Sequence, residues 1–521
     1  MPLTIFSWLL AFSPVIVILV LMLVVKWGGS KAGAVAWGFS ILIAVLFFGA
    51  DFKLLFFSQG KALFLALDVL YIVWTALLLY HVADEAGAVG VIGQSLPRLT
   101  ADRVMQGLLL GWLFASFLQG MGGFGVPVAV AAPLLVGLGF TPVQAVLMAC
   151  LGHGWAVNFG SLATSFQTLL AVTGLPGQTL APWSGILLGL VAAPCGMLVA
   201  FIAGGWKGLV HSLPAVFILT AVMGGVQYLL VTNDLWTLGA TGGALAGLLV
   251  GFLLTRLPFY RGKKQESPEP VPDPSMQPKR SFLVSISAYI ILVVLAFAIN
   301  LIEPLNTFLS KVTLSLPFPA LKTTLGFTTV AENSRSISLF SHPGAILLYA
   351  SLIAAFIYWR AGYFKPGALG RITKKVTRSA LNSSIGILFM VGMAVIMTHV
   401  GMTNLLALGL SASFGAVAYP IIAPFLGALG AFITGSNNNS NVLFANLQMQ
   451  TASLLKLSVP LILGAQTAGG SVGSVMAPAK VIVGCSTVGL GDNESVVMGK
   501  ILIYGLIPVA SIAFLAFLFS L

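Results

Sequence analysis

Apolar runs of membrane-spanning length follow one another along nearly the whole chain. Phe6–Val25, Ala34–Ala50, Ala62–Val82, Ile186–Ala203, Leu238–Thr255, Phe282–Asn300, Ala345–Trp359 and Ile501–Leu521 are the clearest. A helix needs roughly 20 apolar residues to cross a bilayer, and the pattern predicts about 12–14 segments, broken ones included. The expected fold is an all-α polytopic membrane protein. Two polar, glycine-rich interruptions fall inside apolar sequence rather than between runs. The first is Gln119-Gly120-Met121-Gly122-Gly123-Phe124-Gly125-Val126-Pro127. The second is Thr434-Gly435-Ser436-Asn437-Asn438-Asn439-Ser440-Asn441. Irregular backbone survives at membrane depth only where protein covers it or where it lines a cavity. Paired breaks in the two halves of a chain point to a carrier's substrate site.

The surroundings of the breaks share a layout. After the first, Ala131-Ala132-Pro133 and a turn at Thr141-Pro142 lead to an apolar segment ending in Gly152-His153-Gly154-Trp155-Ala156-Val157-Asn158-Phe159-Gly160-Ser161. After the second, a turn near Ser458-Val459-Pro460 leads to Gln466-Thr467-Ala468-Gly469-Gly470-Ser471-Val472-Gly473-Ser474. Nearly equal spacings separate Gly120 from Gly152 and Gly435 from Gly470. The layout predicts two inverted repeats with broken or re-entrant helices. The competing explanation is that small residues recur wherever membrane helices pack closely. The Pro- and Lys-rich stretch 262–281 cannot bury enough apolar surface to fold alone. It divides the chain into an N-terminal membrane half, 1–261, and a C-terminal half, 282–521.

Composition removes most other classes. Of 521 residues, 7% are charged, against about 25% in soluble domains. The net charge of +12 gives no reason to invoke nucleic acid, because basic residues crowd into the loops Arg256–Arg280 and Arg360–Arg378 as the positive-inside rule expects. That rule places both loops inside, and the segment 303–341 and the N-terminus outside. The N-terminal apolar run lacks a basic leader and is expected to be retained. Cys150, Cys195 and Cys485 lie in apolar sequence without ligand-like spacing, so neither disulfide nor metal is expected. The chain has no phosphate-binding loop, no His-x-x-x-His helix and no nucleophile elbow, so neither enzyme activity nor a cofactor is expected.

A helix broken inside the membrane exposes N–H groups at its new N-terminus. Those groups carry about half a positive charge and suit an anion. Gly120, Gly122, Gly123 and Gly125 permit unusual dihedrals and close backbone approach. Pro127 can open the next half-helix. Gln119, Thr434, Ser436, Asn437, Asn438, Asn439, Ser440 and Asn441 add neutral donors and acceptors. Gln466, Thr467 and Ser471 are further substrate-binding candidates. His153, Asn158 and Lys480 are candidates for coupling or charge. Histidine titrates nearest neutrality; Lys480 either offsets anion charge or snorkels to an interface. Asp68 and His399 are also intramembrane, with a structural helix–helix hydrogen bond as the competing role for Asp68.

At the two breaks the chain resembles the lactate permease family, whose members carry L-lactate and glycolate with protons. The family shows Glu-Gly-Ala-Ala-Gly-Phe-Gly-Thr-Pro where this chain has Gln119 to Pro127. It shows Leu-Thr-Gly-Ser-Asp-Thr-Ser-Ser-Asn-Ala-Leu-Phe where this chain has Ile433 to Phe444. Gly469-Gly470 followed by Pro478 also fits. Gln119 and Asn437 replace the family's glutamate and aspartate, His153 stands where the family has an asparagine near the end of the first repeat, and Lys480 stands where glutamine is frequent. The resemblance therefore implies a less acidic site, without the usual carboxylates for proton coupling. It implies secondary active import of a small 2-hydroxy monocarboxylate (L-lactate, glycolate) with a coupled cation, H+ ahead of Na+, at a bacterial-type inner membrane. The alternatives are another organic anion, such as a sulfonate or dicarboxylate, with Na+, and a passive anion channel. The expected partners are the anion, the cation and the bilayer. Oligomeric state is not indicated.

Overall fold

The computed structural model describes residues 3–25, 27, 29–88, 91, 100–121, 123, 125–260, 281–334, 337–490 and 494–521. Gly122 and the linker as far as residue 280 lie outside the described residues. Seven helical stretches among the described residues are long and apolar enough to cross a membrane. The first three helices are α1 (Ile5–Leu23), α2 (Gly29–Phe47) and α3 (Phe52–Glu85). Next comes α4 (Arg103–Met121), wound as a π-helix between Leu108 and Phe114. Three shorter pieces follow, α5 (Val126–Gly137), α6 (Pro142–Gly152) and α7 (Thr164–Thr173), and then the long α8 (Gly177–Thr232), which is two helices that meet at Gly205. α9 (Gly239–Leu254), α10 (Phe282–Leu301) and the short α11 (Glu303–Leu309) lead to a β-ribbon.

The ribbon is the element the hydropathy pattern does not predict. Three antiparallel pairs nest within one another, Thr313 opposite Ser338, Phe318 opposite Glu332 and Lys322 opposite Thr328. Near its tip, Thr324 N–H donates to the Gly49 carbonyl at 2.9 Å, just past the end of α2. The chain then continues through α12 (Pro343–Arg360), α13 (Ala368–His399), α14 (Met402–Thr434), α15 (Asn437–Leu454), α16 (Val459–Val475), α17 (Pro478–Thr487) and α18 (Glu494–Ser520).

Two groups of helices result. α2, α3, α12 and α13 pack together, with α10 against α12. The broken helices form the other group, and the second half repeats the element order of the first. α5 packs on α6 as α15 packs on α16. α7 packs on α15, and α17 packs on α5. α8 contacts α16, and α18 contacts α6. The fourth and fifth elements of each set thus lie against the other set.

Glycines set the closest approaches. A methyl on Gly469 would run into the Pro424 carbonyl, one on Gly473 into that of Ala428, and one on Gly427 into that of Gln466. α14 and α16 therefore touch backbone to backbone. In the first half Gly152 of α6 meets the Gly111 carbonyl in the π-helical stretch. Overpacking such contacts costs about 1–3 kcal/mol. Gly469→Ala and Gly473→Ala are each expected to lower the melting temperature of the detergent-purified protein. Gly370→Ala, in α13 with open space around it, is expected to leave it unchanged or raise it, since replacing an exposed helical glycine stabilises by about 0.4–1 kcal/mol.

Candidate functional site

Both interruptions are real helix breaks, but they are built differently. In the first, α4 ends at Met121, Gly123 and Gly125 take left-handed φ of 57° and 87°, and α5 starts at Val126. Gly120 is still helical, and its role is close approach, since a methyl there would meet Thr241 of α9. The second break is shorter than the polar run suggests. Gly435 caps α14 with φ 72°, Ser436 is extended, and α15 begins at Asn437. Asn437 to Asn441 therefore form the first helical turns rather than an unwound loop. Early helix positions retain N–H groups without a partner one turn before them, which is where such residues are tolerated. Thr434 and Ser436 are half-buried, and the Thr434 hydroxyl donates to the Gly430 carbonyl at 2.8 Å.

Between α6 and α7 the chain crosses the core as an irregular segment, 153–163. Ser161, Leu162 and Ala163 carry φ of 46°, 58° and 64°. Left-handed backbone costs an L-residue roughly 1–2 kcal/mol. The surroundings hold it: Ser161 N–H donates to the Gln119 carbonyl at 2.8 Å and Leu162 N–H to that of Gly120 at 3.1 Å. The crossing segment thereby caps the end of α4.

The same segment meets the asparagine run. Asn158 N–H donates to Ser471 Oγ at 3.1 Å. Asn158 Oδ1 accepts from Thr467 Oγ1 at 2.6 Å and from Asn437 Nδ2 at 3.4 Å. Asn441, one turn beyond Asn437, donates to Thr467 Oγ1 at 2.9 Å and to the Ser165 carbonyl at 3.1 Å. Ser165 Oγ donates to Asn438 Oδ1 at 2.6 Å. One cluster thus joins α7 and its crossing segment to α15 and α16. Lys480 reaches it from α17. Its ammonium donates to Ser474 Oγ at 3.1 Å, and Ser474 Oγ donates to the Ser471 carbonyl at 2.9 Å. Lys480 is 7% exposed, so it does not snorkel to an interface, and its charge lies at the carbonyl end of α16, where a cation is favoured.

Several buried polar atoms here make no hydrogen bond within the protein: Gln119 Oε1, Asn158 Nδ2, Asn437 Oδ1, Asn438 Nδ2, Asn439 Oδ1 and Asn441 Oδ1. Each such group costs about 1–3 kcal/mol if nothing compensates it. A concentration of them, carrying both donors and acceptors, leaves a surface able to bond water or a small polar ligand. His153 is similar. Its Nδ1 contacts the Ala149 carbonyl at 2.6 Å, so Nδ1 carries the proton, while Nε2 is buried without a protein partner.

Gln466 and Ser440 go to a different network. Tyr419 OH donates to Gln448 Oε1 at 2.7 Å, Gln448 Nε2 to Gln466 Oε1 at 3.0 Å, and Gln466 Nε2 to Ser440 Oγ at 3.2 Å. Ser440 Oγ donates to the Gly427 carbonyl at 2.7 Å. These bonds tie α14, α15 and α16 together. The other two intramembrane candidates are engaged elsewhere: Asp68 Oδ1 lies 2.9 Å from His342 Nε2, and His399 Nδ1 lies 2.8 Å from Ser58 Oγ.

The L-lactate permease family model matches residues 7–521. The chain belongs to this family. Family members among curated proteins include the glycolate permease GlcA of Escherichia coli, 27% identical over 94% of this chain and 91% of that protein. The L-lactate permease of Bacillus subtilis is 26% identical over the same shares, and that of Escherichia coli is 27% identical, again over 94% and 91%. Among solved structures, the YdaH transporter of Alcanivorax borkumensis aligns with a TM-score of 0.49 at 17% identity, over 88% of this chain and 86% of that one. Membership, together with the spanning helices, makes the chain a multi-pass membrane permease rather than an enzyme.

Sequence reasoning missed Ser165, Gln448 and Tyr419. Ser165 had a signal, a serine five residues past Gly160 of the glycine-rich stretch, whereas Gln448 and Tyr419 lie in ordinary helical sequence with none. Thr467→Val keeps the shape of the side chain but removes the donor to Asn158 and the acceptor for Asn441. It is expected to cost about 1–3 kcal/mol, read as a lower melting temperature. Ser453→Ala, which removes an exposed hydroxyl bonded within its own helix, should change stability by less than about 0.5 kcal/mol.

Proposed function

We propose that this permease is a secondary carrier that imports a small 2-hydroxy monocarboxylate, L-lactate or glycolate, across a bacterial inner membrane together with a proton. The observation that carries the reading is the buried cluster around Asn158, Asn437, Asn438 and Asn441. It offers unbonded amide donors beside the exposed N–H groups of the first turn of α15. A carboxylate needs such donors, and a 2-hydroxyl group suits the unbonded amide oxygens of Asn437 and Asn441. The names of the relatives, L-lactate and glycolate permeases, agree with this chemistry.

Coupling follows from electrostatics. An anion entering against an inside-negative potential costs about 2.3 kcal/mol per charge per 100 mV, and a proton moving with it cancels that charge. We assign the coupled proton to His153, whose buried Nε2 makes no hydrogen bond within the protein while Nδ1 is engaged.

The orientation rests on which ends of helices meet. Arg371 pairs with Glu85 at 2.7 Å and Lys375 with Asp84 at 3.2 Å. The end of α3 therefore shares a side with the basic loop after α12, and the ribbon bonded to Gly49 shares the other. With basic residues inside, the ribbon and the N-terminus are outside. Inverted repeats are supported by the repeated element order and by the reciprocal packing of α7 on α15 and α17 on α5.

A second reading has its own support. With glutamine at 119 and asparagine at 437, Lys480 places a positive charge beside a cluster without carboxylates, which favours a dicarboxylate or sulfonate, driven by Na+ or H+.

The test is labelled L-lactate and glycolate uptake into proteoliposomes under an imposed pH gradient with clamped potential, with and without Na+. Accumulation driven by the pH gradient is expected, with His153→Gln lowering it at least about tenfold, in line with the usual worth of a positioned proton-transfer group. Full gradient-driven uptake by His153→Gln would remove that residue from coupling. Equilibration without accumulation would make the protein a passive channel. Transport of succinate or a sulfonate in place of lactate, lost in Lys480→Met, would establish the second reading.

A further inference from the structure

The nitrogen and oxygen of an asparagine amide have the same shape, so what each neighbour can donate or accept decides which way the group faces. Three asparagines meet around the Thr467 hydroxyl, and two main-chain carbonyls fix their polarity. Asn441 lies 3.1 Å from the Ser165 carbonyl, and Asn437 lies 3.2 Å from that of Thr467. A carbonyl only accepts, so both residues turn their nitrogens to it. Turned round, each would set oxygen against oxygen. Gly470 leaves room for this arrangement, since a methyl there would collide with Asn437 Oδ1.

The Thr467 hydroxyl passes the polarity on. It accepts from Asn441 Nδ2 at 2.9 Å and from Asn437 Nδ2 at 3.3 Å. Its single proton is left for Asn158, whose Oδ1 lies at 2.6 Å. Turned round, Asn158 would bring a third N–H to one oxygen and leave the threonine proton without an acceptor. The main chain of Asn158 is held as well. Its N–H donates to Ser471 Oγ at 3.1 Å, and Ser471 Oγ donates to the Gly154 carbonyl at 2.7 Å. The atoms left over are therefore set: Asn158 Nδ2 is a donor and Asn441 Oδ1 an acceptor. Neither has a hydrogen-bond partner among the described residues. With two bonds accepted and one donated, the Thr467 hydroxyl has no capacity left for a ligand.

We propose that Thr467 is a positioning residue for substrate binding. It turns the Asn158 amide nitrogen toward the carboxylate of the carried anion, while Asn441 keeps an oxygen for the hydroxyl beside that carboxylate. The inference rests on the carrier reading for its choice of ligand, and it deepens that reading by naming an atom for each group. Thr467 touches no substrate and acts through Asn158, the residue of the first half that it bonds.

The experiment uses the full-length protein in two comparisons. The first needs no ligand. Asn158 and Asn441 are both fully buried, so Asp at either place adds the same buried carboxyl. Asn158→Asp keeps the oxygen that Thr467 bonds and changes only the open atom. Asn441→Asp sets an oxygen against the Ser165 carbonyl and removes an N–H from Thr467. Asn441→Asp should therefore melt well below Asn158→Asp in detergent without substrate. An Asn158→Asp protein that melts no higher than Asn441→Asp, or that is not recovered folded, overturns the orientation. The second comparison is labelled L-lactate uptake into proteoliposomes under a pH gradient. Thr467→Val should raise KM about tenfold, in line with one unpaired amide, with kcat little changed. Thr467→Ser keeps the hydroxyl and should restore KM. A Thr467→Val protein with a lowered melting temperature but the parent's KM would leave Thr467 a structural role alone and overturn the proposal. So would a Thr467→Ser protein with the KM of Thr467→Val. If the melting order holds but the parent protein carries neither lactate nor glycolate, the orientation stands and the substrate reading falls.

Discussion

Polar groups below the membrane surface have no water to bond, so each must find a partner within the protein or in what the protein carries. This constraint shapes the middle of the molecule. The segment 153–163 gives up helical hydrogen bonds to cross the core, and its backbone is then held by the carbonyls of Gln119 and Gly120 and by Ser471. The asparagines of α15 occupy the early turns of a helix that itself begins inside the protein. Neither element is stable alone. Asn158 and Thr467 bond the two halves of the chain into one unit at the point where both are irregular.

Two kinds of polar network sit side by side in that unit, and they differ in how completely they are bonded. Tyr419, Gln448, Gln466, Ser440 and the Gly427 carbonyl pass hydrogen bonds along a chain between three helices. Such a network rigidifies its surroundings. The cluster at Asn158 is bonded on its protein side and open on the other, through one amide atom on each of several side chains. The left-handed run Ser161–Ala163 stores further cost at the same place. Strain and open polar groups together are characteristic of a surface built for a ligand rather than for the fold.

Away from the site, Asp68 and His399 each bond to a side chain from another part of the chain. Asp68 meets His342, which also accepts from the Gly344 N–H at 3.1 Å and so caps α12. His399 meets Ser58. These pairs join α3 to the start of α12 and to α13. Lys480 differs from Asp68 in that its hydrogen-bond partner is a neutral hydroxyl. This buried cation stands beside a cluster of neutral amides and hydroxyls.

The sequence by itself determined the elements that depend on local chemistry. Hydropathy marked the spanning helices, because lipid accepts only long apolar segments. Glycine runs marked the breaks at Gly123, Gly125 and Gly435, because those dihedrals exclude most other residues. The two motifs also carried the family. Tertiary structure decided the rest. It showed that Asn437 to Asn441 are helical and that alternate faces of that helix serve different networks, Asn437 and Asn441 meeting Thr467 while Ser440 meets Gln466. It brought in Ser165, Gln448 and Tyr419, whose partners lie far away in the chain. It assigned Gly469 and Gly473 of α16 to backbone contact with α14 rather than to unusual dihedrals. It also revealed the ribbon, since two-residue strands leave no periodic trace. A hydrogen-bond partner is a property of two distant positions brought together, and a single apolar pattern records only one of them.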